Sequence, residues 1–417
     1  GTIIVVDKFG WMSQNCEEDD ENSLILPDRV TSIKGIVMWD DWNGYSISPL
    51  SIEEFVAPQD IVVNVAEGEI AEAVETAKAA VKKVGKITIN LTEGVSYTIA
   101  NSIVAPAALV INGNGATIDA SALGANFIQS AVTEEAKTVD SIAVLNVTVK
   151  GLGKALYYSA GKNIGISNFV VDNSVIEMAK DVVVFDFTKG SAAMNFAVKN
   201  STIYAPTATT KSIYSSQGGE KGDAYGATAD TPQTFSFENT TLYNIAYNKN
   251  FFTHRSNGQK WMKFVVKNNV IVNCGKANFM TSVNGGQDSP NPIYDADAAN
   301  SVGTLVDGAY TDLSASQTVQ GNAMGTSVVT NPGFKDVAAG DFTVYAGSEQ
   351  AKQKIGDPRW LVEFDETLTG IDGINAAATL NGAVYTINGI KVREAGETLK
   401  GLSKGMYIIN GKKYVVK

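Results

Sequence analysis

The chain holds a single histidine, His254, and it is followed directly by Arg255. One histidine excludes a multi-histidine zinc site and leaves any His-dependent triad a single candidate. Gly113 and Gly115 in INGNG sit at a strand turn and not ahead of a helix, so no phosphate-cradling or dinucleotide fingerprint is present. Two cysteines, Cys16 and Cys274, form no disulfide framework, and Cys274 follows the apolar run VIVN, where burial is expected. The chemistry left open is acid/base work by carboxylates, of the kind paired acids perform in glycoside hydrolysis. The repeats show no clustered Asp-Asp of the polygalacturonase kind and no three-acid calcium set with a matching arginine on neighbouring coils, which weighs against catalysis.

The elements that must position these groups repeat. LNVTV, DNSVI, KNSTI, ENTTL and KNNVI share an asparagine at 146, 173, 200, 239 and 268, at intervals of 27, 27, 39 and 29 residues. A parallel series runs through Phe127, Leu156, Phe185, Ile213, Phe251 and Phe279, and it lengthens at the same place. One insertion therefore lies inside one repeat. Periods of this length mean stacked units that share a continuous core. Each unit carries short alternating runs rich in Val, Ile, Thr and aromatics, such as FVVDNSVIEM and NFAVKNSTIY. These predict strands without helices, hence an all-β fold, a right-handed parallel β-helix. Asparagine tolerates the left-handed backbone of a tight corner, so its column predicts a ladder of stacked side chains.

Aligning the second series gives FIQS, LYYS, FDFT, IYSS, FFTH and FMTS. If the first residue of each points inward, the second and fourth point outward. Ile128, Tyr157, Asp186, Tyr214, Phe252 and Met280 then form one outward column, and Ser130, Ser159, Thr188, Ser216, His254 and Ser282 the other. Asp186, His254 and Arg255 become the catalytic candidates. Tyr157, Tyr214, Phe252, Ser216 and Lys189 become the substrate contacts. Insertions at 218–233, 257–260 and 284–300 border this face, which suits a groove for a linear polymer. Aromatic ladders also stabilise such stacks without a ligand, and a one-residue shift exchanges the two columns.

Residues 61–130 carry an amphipathic stretch, a strand, a Gly turn and then LVINGNGATIDAS, which resembles the opening of the pectate-lyase-like β-helix superfamily. NPGFKDVAAGDFTVYAGS (331–348) resembles the end of such helices, and IGDPRWL (355–361) resembles secreted β-helix proteins of Gram-negative gut anaerobes, whose function is mostly unassigned. The resemblance implies an extracellular, carbohydrate-related setting. It also implies that a catalytic member would be a lyase or a glycoside hydrolase. Lyases of this fold use carboxylate-bound Ca²⁺ with an Arg or Lys base, so Ca²⁺ is the one cofactor to consider. Residues 69–84 place Ile70, Ala73, Val74, Ala77, Ala80, Val81 and Val84 at helical spacing, which predicts a helix capping the open end of the stack.

Three regions are expected: an N-terminal β segment at 1–58, the β-helix at 59–365 and a small β domain at 370–417. In the first, Trp11, Trp39 and Trp42 beside Asp40 and Asp41 read as packing residues of a short β segment, with a sugar-stacking site as the alternative. In the last, Asn388-Gly389 and Asn410-Gly411 mark hairpins. That region resembles the small C-terminal β-sandwich modules that serve some surface proteins as type IX sorting signals. The net charge is −11, and four arginines (29, 255, 359, 393) form no basic patch, so nucleic acid is not an expected partner. No run of 18 apolar residues spans a membrane. Gly1-TIIVV carries no leader, and an export signal is expected to have been removed. A secreted or outer-surface location and a monomer are expected. Three functions compete: an enzyme acting on polysaccharide, a non-catalytic glycan binder, and an adhesion or scaffold protein. A tight acid pair or a Ca²⁺ beside Arg255 favours the first, a dry aromatic groove the second, a bare loop-dominated face the third.

Overall fold

A computed structural model of the chain describes residues 4–5, 16–17, 20–24, 29–41, 44–132, 137–160, 164–188, 192–216, 227–228, 230–254, 262–276, 293–295, 300–314, 316–319, 322–323, 328, 330–366, 382–397, 402–403, 405–409 and 412–416. The chain divides into two units, residues 1–59 with 80–85, and residues 60–79 with 86–417.

In the first unit, strands Val30–Asp40 and Gly44–Glu54 form an antiparallel hairpin, and Ile4–Val5 adds to it in parallel. Trp39 stands opposite Tyr45, and the two rings meet edge to face at 4.9 Å. Trp39 is 63% exposed, so it is not a core packing residue. Trp11 and Trp42 lie outside the described residues.

The second unit is the right-handed parallel β-helix that the repeat predicts. Its coils build three parallel sheets among the described residues. Sheet 1 runs from Gln59–Val65 through Val84–Leu91, Ala108–Asn112, Lys137–Leu145, Ile164–Asp172, Ala192–Lys199, Gln233–Glu238 and Met262–Lys267 to Ile293–Asp295. Sheet 2 runs from Ser96–Thr98 through Thr117–Asp119, Thr148–Leu152, Val175–Met178, Thr202–Tyr204, Thr241–Tyr243 and Val270–Val272 to Ser301–Val306, and Ala309–Asp312 closes it antiparallel. Sheet 3 holds Ile103–Ala105, Ile128–Ser130, Tyr157–Tyr158, Phe185–Phe187, Tyr214–Ser216 and Phe252–His254.

The corner between sheets 1 and 2 is where the asparagines stand. Asn146, Asn173, Asn200, Asn239 and Asn268 all have φ between 46° and 56°, and Asn114 joins them at 49° one coil earlier. Only glycine and asparagine enter this region cheaply, which explains the column. The amides form a ladder: Asn173 Nδ2 donates to Asn146 Oδ1 at 3.1 Å, Asn239 to Asn200 at 3.2 Å and Asn268 to Asn239 at 3.3 Å. Inside, Phe169, Phe196, Phe235 and Phe264 occupy one paired position of successive strands, and all are fully buried.

The capping helix is shorter than its periodicity predicts, Ile70–Ala79 in place of 69–84. Val84 and Gly85 belong to the next strand, which goes on to pair with Ala108–Asn112 from Lys86. Ile70, Ala71 and Val74 are buried, and the Lys78 ammonium donates to the Val104 carbonyl at 3.5 Å. The helix thus lies on Ile103–Ala105, the end strand of sheet 3, and covers an edge that would otherwise be unpaired.

A four-stranded antiparallel sheet forms near the C-terminus, ordered Lys391–Arg393, Val384–Thr386, Gly405–Ile409, Lys412–Val416. Gly389, at φ 80°, turns the first hairpin; Asn410 and Gly411 lie outside the described residues.

Candidate functional site

Sheet 3 shows which way its side chains face. Phe127 and Ile128, Leu156 and Tyr157, Val184 and Phe185, Ile213 and Tyr214, and Phe251 and Phe252 are all buried, two consecutive residues per coil. The first of each pair lies in the bend that enters the strand, where alternation has not begun. The chain turns between them, so both point into the core. The outward columns expected from the sequence are corrected accordingly. Tyr157 and Tyr214 are 0% exposed, Phe252 and Ser216 1%. These four predicted substrate contacts belong to the core. The Tyr214 ring stacks on Phe187 at 5.0 Å and meets Phe235 at the same distance. Burial holds its phenol above the ordinary tyrosine value.

FDFT also sits one step out of the sequence alignment. Phe185 pairs with Tyr157 and Tyr214, and Asp186 pairs with Tyr158 and Ser215. The outward column is therefore Gln129, Tyr158, Asp186, Ser215 and Thr253. Asp186 keeps its outward direction because the alignment error and the orientation error cancel. His254 occupies the strand position that pairs with Ser216. Its side chain, together with all of Arg255 and Lys189, lies outside the described residues, as does most of the 218–233 insertion.

A groove of about 610 Å³ opens on this column, its floor made by Tyr158, Asp186 and Ser215. Asn126, Lys154, Asp181, Thr188 and Lys211 stand around it, so four successive coils contribute. Asp186 Oδ1 accepts from the Thr188 amide at 2.9 Å and its hydroxyl at 2.5 Å, which fixes the carboxylate's rotamer. Asp181 is bound on both oxygens. Oδ1 accepts from the Thr210 and Lys211 amides at 2.6 and 2.9 Å, and Oδ2 from the Thr210 hydroxyl at 2.7 Å. Burial works to raise the Asp181 carboxyl, but these bonds and the Lys211 charge outweigh it and hold the group below the usual value. Asp181 is thus a fixed anion that ties one coil's loop to the next. Lys154 and Lys211 are exposed, and neither forms an ion pair within 4.0 Å among the described residues.

Tyr158, Lys154 and Lys211 escaped sequence reasoning. The signal was the doubled tyrosine of LYYS, of which the second, not the first, faces out. Among the described residues no group of three or more His, Cys, Asp or Glu side chains could hold a metal ion. Cys274 is buried, and its thiol is pushed up to about 12 by desolvation. No helix among the described residues is long and apolar enough to cross a membrane.

Fold and groove together define a right-handed parallel β-helix with an open polar and aromatic strip along one sheet. Residues 92–206 are similar to a domain of unknown function, DUF4957, and residues 235–360 to a second, DUF5123. Each match spans less than a third of the chain. No curated protein and no solved structure matches it.

Proposed function

We propose that the chain binds or processes a polysaccharide along sheet 3, as a pectate-lyase-like β-helix protein outside the cell or on its surface. The observation that carries this reading is the composition of the groove: one outward tyrosine, two oriented aspartates and two lysines on three stacked coils. Tyr158 offers a ring face to a sugar's C–H surface, and the carboxylates and hydroxyls accept and donate to its hydroxyl groups. If the groove is catalytic, Asp186 is the acid/base candidate, because it stands in the outward column between Tyr158 and Ser215. An eliminating reaction would use Lys154 or Lys211 as the base. The resemblance of residues 370–417 to sorting modules supports delivery to the surface.

A panel of soluble polysaccharides tests the reading, with binding, reducing ends and unsaturated products measured together. The expected result is binding by the native chain that Tyr158→Ala and Asp186→Asn each weaken. Turnover lost in Asp186→Asn with binding retained marks an enzyme. Binding unaffected by either variant removes the groove from the mechanism. No binding to any member of the panel leaves the adhesion or scaffold role in its place.

A further inference from the structure

The segment IGDPRWL crosses the β-helix instead of continuing it. Its residues bond four different coils on the sheet 2 side. Arg359 Nη2 donates to the backbone carbonyl of Asn173 at 2.9 Å and to its side-chain oxygen at 2.8 Å. Trp360 Nε1 donates to the Thr202 hydroxyl at 2.6 Å, and that hydroxyl donates to Asp357 Oδ2 at 2.8 Å. The Asp357 amide donates to the Thr241 hydroxyl at 3.1 Å. The Gly356 amide donates to the Asn268 carbonyl at 2.8 Å. Gly356 has φ 107°, and a side chain there would meet Val270 Cγ2 at 2.9 Å, so glycine lets the segment lie this close. Asp357 is itself fully buried and paired with Arg359 at 3.0 Å.

The segment also changes the ladder it lands on. Asn173 Oδ1 is taken by Arg359, and the Asn200 amide, which would occupy that rung, turns to Asp172 Oδ1 at 2.9 Å. A stack of coils otherwise contacts nearest neighbours only, so its coils can open piecemeal. The bonds of this segment reach back 186, 158 and 116 residues, past the nearest neighbour. They also join the two regions matched by the two domain models, since Asn173 and Thr202 fall in 92–206, and Thr241, Asn268 and the segment up to Trp360 fall in 235–360.

We infer that IGDPRWL is a clamp that makes the four coils bearing Asn173, Thr202, Thr241 and Asn268 open and close as one unit. The coil of Asn173 carries Asp181 and Asp186, and the coil of Thr202 carries Thr210 and Lys211. The clamp therefore also holds the two coils whose junction is the Asp181 bond to Thr210 and Lys211.

Native-state hydrogen exchange and urea unfolding of the full chain test this without any ligand. In Arg359→Ala, amides of Val175–Met178 and the Thr210 and Lys211 amides should lose protection at least tenfold more than those of Thr117–Asp119, which the clamp does not touch. The urea transition should broaden. Trp360→Phe keeps an aromatic ring, though a smaller one, and deletes the Nε1 donor; it should show the same pattern more weakly, and it carries the test if Arg359→Ala does not fold. Lys335→Ala, which breaks an exposed ion pair with Asp341 in the same covering stretch, should leave both readouts as they are. Equal loss of protection in every strand, with a sharp single transition, would overturn the inference: the segment would then add stability without coupling the coils. No change in either clamp variant would overturn it as well.

Discussion

Sheets 2 and 3 are built by the same coils, yet their outer faces meet different surroundings. Outside sheet 2, Val175, Tyr204, Tyr243, Val270 and Val272 form a second core with Val328, Phe342 and Ile355, and Phe334, Val337 and Trp360 pack at its border. Phe342 alone meets Tyr204 at 5.0 Å, Phe334 at 5.2 Å and Tyr243 at 5.5 Å. Strands Thr202–Tyr204, Thr241–Tyr243 and Val270–Val272 are consequently buried on both faces. Outside sheet 3, the column Gln129, Tyr158, Asp186 and Thr253 stays half-exposed, and its Tyr158 and Asp186 line a groove. The aromatics explain the division. An outward tyrosine that is covered is a packing residue whatever its hydroxyl does, and an outward tyrosine left open is available to a ligand. Aromatic content alone does not separate the two.

The contrast predicts a graded set of effects. The largest belongs to the buried rings. Phe342→Ala should cost about 3–5 kcal/mol, measured by urea unfolding, because it opens a cavity under sheet 2. Tyr214→Ala should fall in the same ~3–5 kcal/mol range, since its ring lies in the main core. A loss below about 1 kcal/mol at Tyr214 would place that ring outside the core and restore it to the outer column. Next comes Asp357→Ala, which strips the buried partner from Arg359 and should cost about 3 kcal/mol in the same measurement. Tyr158→Ala should change stability by no more than ~0.5 kcal/mol, as an open surface position does. It should weaken oligosaccharide affinity by about 1 kcal/mol in calorimetry, the scale of one aromatic contact. A large loss of stability there would erase the difference between the two faces.

The smallest effect is on pH. Against the effect of burial, the hydrogen bonds from Thr210 and Lys211 hold the Asp181 carboxyl below the ordinary aspartate range in the folded chain. A depressed acid stabilises the fold above its unfolded value, and that contribution fades as the pH falls from there through the folded value. Carbon-detected NMR should show Asp181 titrating below the ordinary aspartate range, with the Thr210 and Lys211 amides shifting together with it. An ordinary titration would mean that the hydrogen bonds across the two coils do not form in solution.

How far the sequence reaches follows from which physics is local. The asparagine column was legible because the left-handed corner is a property of single residues, and five such corners at a near-constant interval leave one architecture. The hydrophobic alternation of each strand was legible too, but its origin was not. Whether Leu156 or Tyr157 begins the alternation depends on where the chain bends, and the bend is set by packing against the coils above and below. A shift of one residue moved Tyr157, Tyr214, Phe252 and Ser216 from groove to core, and it brought Tyr158 out. The covered face of sheet 2 was beyond sequence reasoning altogether. Nothing in TIY, TLY or VIV says that Phe342 and Trp360 will lie over them. IGDPRWL could be noticed as a phrase, but the partners of its Asp357, Arg359 and Trp360 stand 116 to 186 residues earlier. The sequence by itself determined the coil, its corner and the composition of its strands, because these rest on backbone preference and period. Only the tertiary structure decided which outward residues stay in water, because that depends on which distant segment comes back to cover them.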